Sequence, residues 1–462
     1  MKNLRNISSV IILFISLFFS EITHSTEQNI KKCIEFSSIG LHEPAIEQCQ
    51  KAISDGVNNK EELELLYYLA NSYSSINSNK MASQVMQKLI KANPNARLKD
   101  YYLAGIIEIK LNNYKGAINY FEMAIKEGLN SVDIKRQLAR ALFKSGDEKR
   151  ANLILTGVIF EDNSDIQSMI QLSENYIVGG NLTKANNIID NVININSDYS
   201  YAYYLKYIIS ITEDNLGDAL VHINKAIMRD RKSTKYLFEK VKLLTANKKY
   251  DLAKYNLAQI ESINPNEPGV PSLLNEILDL QSSDLHSNGR VMVKLKNYKD
   301  AINYYNKAIK LNPSDEILYF ERGQLLLILE NYAEAKNDLL IASSMNQKLN
   351  ENNLNLMLGK IHYKLNERNE SIIYMNNELE INSNNQEALL WQIRSYSEAG
   401  QYDVAENYAQ KFIENNPDSP TGYSILGDIK LMQGDIQKSN ELHNRVIELD
   451  PNHNIATKKN LE

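Results

Sequence analysis

The chain has 462 residues and contains only 18 glycines and 9 prolines, so few helix breakers interrupt it. A charged fraction of 23% and a hydrophobic fraction of 43% exclude a disordered polymer and match a folded soluble protein. The formal net charge of -6 argues against a general affinity for nucleic acid or anionic membrane surfaces, because both need clustered excess lysine and arginine.

The N-terminal segment has the pattern of a secretory signal peptide. Lys2 and Arg5 form a short basic region, and residues 7–19 are apolar apart from three serines. This run is shorter than the roughly twenty apolar residues of a spanning helix, so cleavage is favoured over the alternative of a retained anchor. The small residues Thr23 and Ser25 predict cleavage before Thr26, which makes residues 1–25 the signal peptide. We expect the mature chain to be periplasmic or secreted, with outer-membrane association as a further option and no integral membrane span.

Small residues recur through the rest of the chain at intervals of 37, 35, 34, 34, 34, 34, 48, 34, 36, 34 and 34 positions. Each of these marker residues follows a short polar turn and opens a helical pattern. A period near 34 residues is typical of stacked helical hairpins. The twelve markers are Ala45, Ala82, Ala117, Ala151, Ala185, Ala219, Ala253, Ala301, Ala335, Ser371, Ala405 and Ser439.

Three other kinds of residue recur at fixed distances from the marker, and we call this set of positions the repeat frame. Each position has a physical reason. A small residue twelve places before the marker lets two antiparallel helices approach closely, and a large residue four places after it fills the core. A proline twelve places after the marker stops the second helix. The small residues include Ala70, Gly105, Ala139, Ser173, Gly289, Gly323, Gly359 and Gly427; the large ones include Phe121, Ile189, Leu257 and Tyr305; the prolines are Pro94, Pro265, Pro313, Pro417 and Pro451.

The stretches GQLLLILENYAEAKNDLLIA from Gly323 and NYKDAINYYNKAIKLNP from Asn297 resemble the second-helix signature of the tetratricopeptide repeat (TPR). The resemblance covers residues 26 to about 452, and the chain looks like an exported bacterial TPR protein. It implies an all-α solenoid superhelix of about twelve TPR-type hairpins with an extended concave surface.

One interval exceeds the repeat by fourteen residues and suggests a joint. Between Ala253 and Ala301, three prolines and a glycine fall within eight positions from Asn264. We predict a TPR array at residues 26–265, a linker at 266–281 with a short helix from about Ser272 to Leu280, a second array at 282–452 and a tail at 453–462. An insertion that leaves the superhelix continuous is the alternative.

The two cysteines, Cys33 and Cys49, fall on the two helices of the first hairpin, near the point where the helices cross. In an oxidising compartment they could form a disulfide that stabilises the terminal repeat by about 3 kcal/mol. The alternative is a pair of small buried thiols in ordinary helix contacts.

Catalytic, metal-binding and cofactor motifs are not predicted. The repeats leave no unassigned stretch for a catalytic domain, and no Gly-rich phosphate loop occurs, so we predict that the chain is not an enzyme and needs no cofactor. The histidines lie in different repeats without metal-ligand spacing, and we expect them on the surface or in the groove. They are His24, His42, His222, His286, His362, His443 and His453.

The resemblance implies that a concave groove is lined by the first helix of each hairpin. Basic residues at such positions are Arg136, Arg140, Lys144, Lys242, Arg290, Lys294, Lys360, Lys364 and Arg394, and aromatic ones are Tyr67, Tyr102, Tyr201, Tyr204, Phe238 and Phe320. This lining predicts an acidic, extended protein or peptide partner. The alternative is that the basic side chains only solvate the groove.

The resemblance implies a non-catalytic protein-interaction scaffold of the bacterial cell envelope, with roles such as envelope assembly, pilus biogenesis or secretion. A glycan-binding or polysaccharide-export factor that holds an anionic polysaccharide is the alternative. The carboxylate clamp of chaperone-binding TPR domains is not predicted. Asn71 occupies the position of the clamp's asparagine, but Tyr67 occupies the position where the clamp needs lysine.

Overall fold

The computed structural model describes residues 25–93, 96–346 and 353–451. The predicted signal peptide lies outside the described residues except for Ser25, and so do Pro94 and the predicted tail. The chain divides into two compact units, Met1–Leu243 and Leu244–Glu462. Helices and short turns make up the described part of both units, and no strand occurs there.

Unit 1 consists of successive helices of similar length. They are α1 (residues 25–38), α2 (His42–Ser54), α3 (Asn59–Ser75), α4 (Asn79–Ala92), α5 (Leu98–Lys110), α6 (Tyr114–Lys126), α7 (Val132–Lys144), α8 (Glu148–Glu161), α9 (Ile166–Val178), α10 (Leu182–Ile195), α11 (Ser200–Thr212), α12 (Leu216–Arg229) and α13 (Thr234–Ala246), whose last residues pass into unit 2.

Unit 2 continues the pattern with one longer helix. Its helices are α14 (Tyr250–Ile263), α15 (Gly269–Lys294), α16 (Tyr298–Leu311), α17 (Glu316–Ile328), α18 (Tyr332–Met345), α19 (Leu354–Lys364), α20 (Arg368–Ile381), α21 (Gln386–Glu398), α22 (Tyr402–Asn415), α23 (Pro420–Met432) and α24 (Ile436–Leu449).

Each tight turn inside a hairpin contains one residue in the left-handed backbone region, five positions before the marker. Glycine provides it at Gly40, Gly146, Gly180, Gly400 and Gly434, and other residues at Asn77, Asn112, Asp214, Lys248, Lys296, Glu330 and Asn366. The left-handed residue lets the chain reverse and satisfies the last carbonyls of the first helix. In the turn after α17, for example, the Asn331 amide donates to the Leu326 carbonyl at 2.9 Å and the Glu330 amide to the Leu327 carbonyl at 3.1 Å.

Small residues face large ones where the two helices of a hairpin cross, as the sequence predicts. All twelve marker residues are at most 1% exposed. A Cβ on Gly105 would lie 2.4 Å from the Phe121 ring, and one on Gly289 would lie 2.3 Å from the Tyr305 ring. The glycines are therefore required for the observed helix separation.

The first hairpin uses the same two positions for a disulfide. Cys33 lies twelve residues before the marker Ala45, and Cys49 lies four residues after it. Their Cα atoms are 4.9 Å apart, and the two sulfur atoms are bonded. The structure thus contains the disulfide, which the sequence left open beside a pair of free thiols.

The prediction of a short separate helix from about Ser272 to Leu280 is wrong. These residues form the first half of α15, which runs without interruption from Gly269 to Lys294. Pro268 and Pro271 cap the helix or lie in its first turn, where no intrahelical amide donor is needed. The cluster of prolines therefore starts a helix here. The division of the sequence into two arrays at this point stays a prediction.

Prolines end the second helices as the repeat frame predicts. Helices α14, α16, α22 and α24 each stop two residues before such a proline. These prolines are Pro265, Pro313, Pro417 and Pro451.

Candidate functional site

Three of the predicted groove residues, Arg136, Arg140 and Lys144, line one cavity of about 590 Å³ in unit 1. They come from the same face of α7, at a spacing of four residues. The opposite wall comes from α9, the first helix of the next hairpin. Its lining residues are Gln167, Ile170, Gln171, Glu174, Asn175 and Val178. The cavity therefore lies between two successive first helices, where the repeat resemblance places a binding groove.

Arg136 is already neutralised inside this cavity wall. Its guanidinium lies 3.1 Å from Asp165, the residue that caps α9, and 3.8 Å from Asp133. The Gln171 amide nitrogen also donates to the Arg136 carbonyl at 3.0 Å. These contacts join α7 to α9, so Arg136 shapes the site and is not a free cation.

Arg140 and Lys144 are the available cations of the cavity. Both are exposed. Neither forms an ion pair with any residue that the structure describes. The exposed Val178 and the half-buried Phe143 lie on the same lining and supply apolar surface beside the two charges. The cavity can thus bind an anionic group together with an apolar one.

Tyr67 and Tyr102 lie on earlier first helices of unit 1 and are half-buried. The Lys99 ammonium sits 4.1 Å from the centre of the Tyr67 ring. The Tyr102 hydroxyl donates to Asp133, and burial followed by this hydrogen bond raises the pKa of Tyr102 to about 12. Tyr102 thereby helps to position one of the carboxylates beside Arg136.

Tyr201 and Tyr204 form an aromatic stack that continues to α13. The Tyr204 ring lies 5.5 Å from that of Tyr201 and 5.2 Å from that of Tyr236. The Lys235 ammonium lies 4.2 Å from the Tyr204 ring. The Tyr201 hydroxyl donates to Glu174 at 2.7 Å, which links the stack to the cavity wall on α9.

The two remaining predicted residues of unit 1 are on α13. Phe238 is half-buried, and Lys242 is exposed and pairs with Glu239 at 3.1 Å. The structure does not place either of them in the cavity between α7 and α9.

In unit 2, Arg290 is held by a carboxylate of the next hairpin. Glu321 accepts hydrogen bonds from the Arg290 guanidinium, from the Tyr305 hydroxyl at 2.8 Å and from the His286 ring at 3.0 Å. Burial raises the pKa of Glu321, but the hydrogen bonds from His286, Arg290 and Tyr305 outweigh burial and lower it to about 2. Lys294, one turn further on, is exposed.

The other predicted residues of unit 2 differ in their accessibility. Phe320 is only 9% exposed and packs in a core cluster, so its prediction as a groove residue is wrong. Lys360 pairs with Glu387, and Arg394 lies 3.7 Å from Glu398. These two residues and the exposed Lys364 are all on first helices, but the acids reduce the positive charge of Lys360 and Arg394.

A second cavity of about 500 Å³ lies between α21 and α23 in unit 2. Arg394 is the one predicted site residue that lines it. The rest of the lining is mainly apolar and includes Leu390, Ile393, Ile425, Ile429 and Met432, with Asp428 as the acidic member. This cavity suits an apolar side chain.

The acids that neutralise the basic positions were not predicted from the sequence. Each acid lies in the first helix of the hairpin after the basic residue, in the N-terminal half of that helix or at its N-cap. These acids are Asp165, Glu321 and Glu387. Their separations from Arg136, Arg290 and Lys360 are 29, 31 and 27 residues. A search for acids slightly less than one repeat downstream could have found them.

Two histidines are buried and not on the surface or in the groove as predicted. His362 is 6% exposed and His443 is 2% exposed. His443 lies four residues after its marker, at the position that Phe121 and Tyr305 fill in other hairpins. The frame could have placed it in the core. The described residues contain no group of His, Cys, Asp or Glu arranged to hold a metal ion.

Repeated antiparallel hairpins, with cavities lined by successive first helices, define an all-α repeat protein of the solenoid class. Two sequence models of this class match, one for the TPR repeat at residues 289–327 and one for the tetratricopeptide repeat at residues 387–419. The chain therefore contains tetratricopeptide repeats at these two stretches. No helix within the described ranges has the length and hydropathy needed to cross a membrane.

Relatives by sequence and structure are distant. A TPR repeat-containing protein of Methanocaldococcus jannaschii is 21% identical over 321 residues, which cover 66% of this chain and 55% of that protein. The chain thus matches about half the length of this curated relative.

Three solved structures show the same kind of likeness. YrrB, described as a TPR protein with an unusual peptide-binding site, is 22% identical over 37% of this chain and 86% of its own, with a TM-score of 0.34. MamA from Desulfovibrio magneticus is 14% identical. The match covers 38% of this chain and 97% of the MamA chain, with a TM-score of 0.35. The C-terminal part of a TPR repeat-containing protein from Cytophaga hutchinsonii is 16% identical. The match covers 53% of this chain and 99% of that one, with a TM-score of 0.41.

Proposed function

We propose that the protein is a non-catalytic scaffold that binds an extended segment of a partner protein along the first-helix face of unit 1. The observation that carries this proposal is the cavity between α7 and α9, in which Arg140 and Lys144 stand beside apolar surface. An acidic side chain of the partner would pair with these two cations, and a neighbouring apolar side chain would contact Phe143 and Val178.

The setting that we propose is a bacterial cell envelope. The apolar N-terminal segment has signal-peptide length, and a disulfide in the first hairpin persists in an oxidising compartment. A role in envelope assembly, pilus biogenesis or secretion is consistent with both features. N-terminal sequencing of the protein from its own cells should begin at Thr26; a chain that begins at Met1 would contradict the proposed cleavage.

The partner can be located with a photo-crosslinking residue at position 178, which lies in the cavity lining and is 72% exposed in the native chain. We expect crosslinking in the protein's own cells to join the chain to one polypeptide. The double variant Arg140→Glu and Lys144→Glu should abolish the crosslink, because it replaces both cations with anions. The matched control is Lys115→Glu with Lys126→Glu, which makes the same charge change at exposed positions of α6.

The outcomes separate the two candidate functions. A crosslinked product that protease removes, and that only the groove variant loses, supports a protein partner. A product that resists protease but disappears on glycan-degrading treatment favours the polysaccharide alternative, for which the exposed Lys235 beside the tyrosine stack is the supporting observation. Equal crosslinking in both variants would contradict a role for this cavity.

A further inference from the structure

The cavity between α21 and α23 is built from the same repeat positions as the cavity between α7 and α9. Eight of its ten lining residues lie 254 places after a lining residue of the first cavity, which is also the distance between the markers Ala151 and Ala405. The two cavities can therefore be compared residue by residue, although each belongs to its own unit.

The second cavity is the more apolar of the two, because three polar lining residues of the first cavity have apolar counterparts here. The polar residues are Arg136, Gln171 and Asn175, and their counterparts are Leu390, Ile425 and Ile429. Met432, which is 66% exposed, takes the place of Val178. A volume of about 500 Å³ with this lining is large enough for an aromatic or long aliphatic side chain.

The cation of the second cavity is partly compensated by a neighbouring acid. Arg394 takes the place of Arg140, but Glu398 takes the place of Lys144. The Arg394 guanidinium lies 3.7 Å from the Glu398 carboxylate, which also pairs with Arg368 at 3.0 Å. The second cavity thus keeps one partly compensated cation where the first has two free ones.

Asp428 is the acid of the second cavity, and within the described residues no lysine or arginine pairs with it. It is half-buried, and its ion-pair contact there is the His443 ring at 3.3 Å, which is charged only when protonated. Burial raises the pKa of Asp428, and His443 offsets this only in part. By contrast, the equivalent acid of the first cavity, Glu174, accepts the Tyr201 hydroxyl at 2.7 Å. A cation supplied by a ligand would therefore stabilise the Asp428 carboxylate.

We propose that the cavity between α21 and α23 binds a partner segment in which a lysine or arginine lies next to a large apolar residue. The basic group pairs with Asp428, and the apolar side chain contacts Ile425, Ile429 and Met432. This site does not depend on the one in unit 1, where the available charges are cations. The chain then has one site for an acidic segment and another for a basic segment, which suits a scaffold that holds two unlike segments.

Methyl resonances of methionine and isoleucine give a readout at each cavity separately. In the chain from Thr26 to Glu462, Ile425 and Met432 report on the cavity between α21 and α23, and Ile170 reports on the cavity between α7 and α9. The probes are three peptides with capped ends, Gly-Lys-Phe-Lys-Gly, Gly-Gln-Phe-Gln-Gly and Gly-Glu-Phe-Glu-Gly. We expect the lysine peptide to shift the Ile425 and Met432 resonances at a concentration roughly tenfold lower than the glutamate peptide, with the glutamine peptide between them.

Ile170 separates this site from the function proposed for unit 1. Its resonance should respond to the peptides in the opposite order, because Arg140 and Lys144 favour the glutamate peptide. If Ile170 shows that order while Ile425 and Met432 show no preference, the site between α21 and α23 is refuted and the site in unit 1 stands. The inverse result would refute the site in unit 1 alone.

Substitution of Asp428 tests the role of its charge. Asp428→Asn should remove the preference for the lysine peptide over the glutamine peptide. Asp428→Lys should reverse the order, so that the glutamate peptide binds best, which a merely damaged cavity would not do. Asp418→Asn is the matched control and should retain the native order, because Asp418 is exposed in the turn before α23 and does not line the cavity.

Substitution of Met432 tests the apolar contact. Met432→Ser should weaken the binding of all three peptides roughly threefold, as read from the Ile425 resonance, because it removes part of the apolar lining. Met345→Ser on α18 is the matched control and should bind as the native chain does, since Met345 is 45% exposed and lies outside the cavity lining.

Three results would overturn the proposal. In the first, Ile425 and Met432 respond equally to the lysine and glutamate peptides. In the second, Asp428→Asn keeps the native order of the peptides. In the third, the lysine peptide binds only to the double variant Lys458→Glu and Lys459→Glu, which would mean that the chain's own basic residues, outside the described ranges, fill the cavity in place of a partner.

Discussion

At the scale of single residues, the turns inside the hairpins carry unequal backbone strain. All twelve contain a residue with positive φ, but Lys248, Lys296 and Glu330 occupy it with long side chains that disfavour this region. Glycine fits it without steric cost, and asparagine tolerates it. The repeat therefore keeps the backbone conformation even where the side chain is unfavourable, because the flanking helices determine the reversal.

We expect Glu330→Gly to stabilise unit 2 by about 1 kcal/mol, because φ at this residue is 62° and glycine relieves the strain. Asn366→Gly should gain less, since asparagine already tolerates its φ of 65°. Urea unfolding of both variants beside the native chain measures the difference. A loss of stability in Glu330→Gly would show that the side chain makes a favourable interaction that outweighs the strain.

Glu321 makes the stability of unit 2 depend on pH. Its pKa of about 2 in the folded chain lies below the value of about 4.3 in an unfolded one, so the unfolded chain binds more protons between these values. The stabilisation is fully present above about pH 5 and is lost as the pH falls toward 2, at no more than about 1.4 kcal/mol per pH unit. Urea midpoints measured across this range should fall less steeply in Glu321→Gln. Glu330→Gln, whose carboxylate forms no ion pair in the described part of the chain, should retain the native pH dependence.

At the scale of elements, the first hairpin replaces a packing contact with a covalent one. Cys33 and Cys49 occupy the frame positions of Gly105 and Phe121, and both are fully buried. Within the described residues this hairpin has a neighbouring hairpin on one side only, so we expect it to open more readily than an internal one. The disulfide closes a loop with a sequence separation of 16 and is worth about 3 kcal/mol in the chain-entropy model.

Reduction should therefore destabilise α1 and α2 selectively. We expect a reductant to increase hydrogen exchange in these helices and to leave α5 and α6 unchanged. A variant with Cys33→Ala and Cys49→Ala should exchange faster in α1 and α2 from the start and should not respond to the reductant. A native chain whose exchange is the same with and without reductant would mean that packing alone holds the hairpin.

The hairpins could be predicted from the sequence because their determinants are local. The spacing of sixteen residues between Gly105 and Phe121, or between Gly289 and Tyr305, follows from one helix, one tight turn and the next helix. The separate linker helix could not be excluded, because Pro268 and Pro271 are compatible with a break and equally with the first turn of a long helix.

The site was harder to predict because its charges are paired between successive hairpins. Each cation in the sequence could be placed on a first helix from the frame alone. Whether it is free depends on an acid of the next hairpin, as Asp165 shows for Arg136 and as its absence shows for Arg140 within the described residues. Burial of Phe320 likewise follows from packing against the next first helix and not from its own position in the repeat.

At the scale of the whole molecule, the hairpins within each unit contact mainly their neighbours in the chain, so the stability of a unit is expected to be a sum of hairpin terms and nearest-neighbour terms. A local defect should then stay local. Gly289→Ala provides one, since its Cβ would lie 2.3 Å from the Tyr305 ring and overpacking of this kind costs about 1–3 kcal/mol.

Hydrogen exchange followed by mass spectrometry should show where that cost appears. We expect Gly289→Ala to increase exchange in α15, α16 and the adjacent α17, and to leave α5 and α6 at native rates. Gly105→Ala, whose Cβ would lie 2.4 Å from the Phe121 ring, should give the converse pattern. If either substitution increased exchange evenly along the chain, the molecule would unfold as one cooperative body, and its stability would not be a sum over neighbouring hairpins.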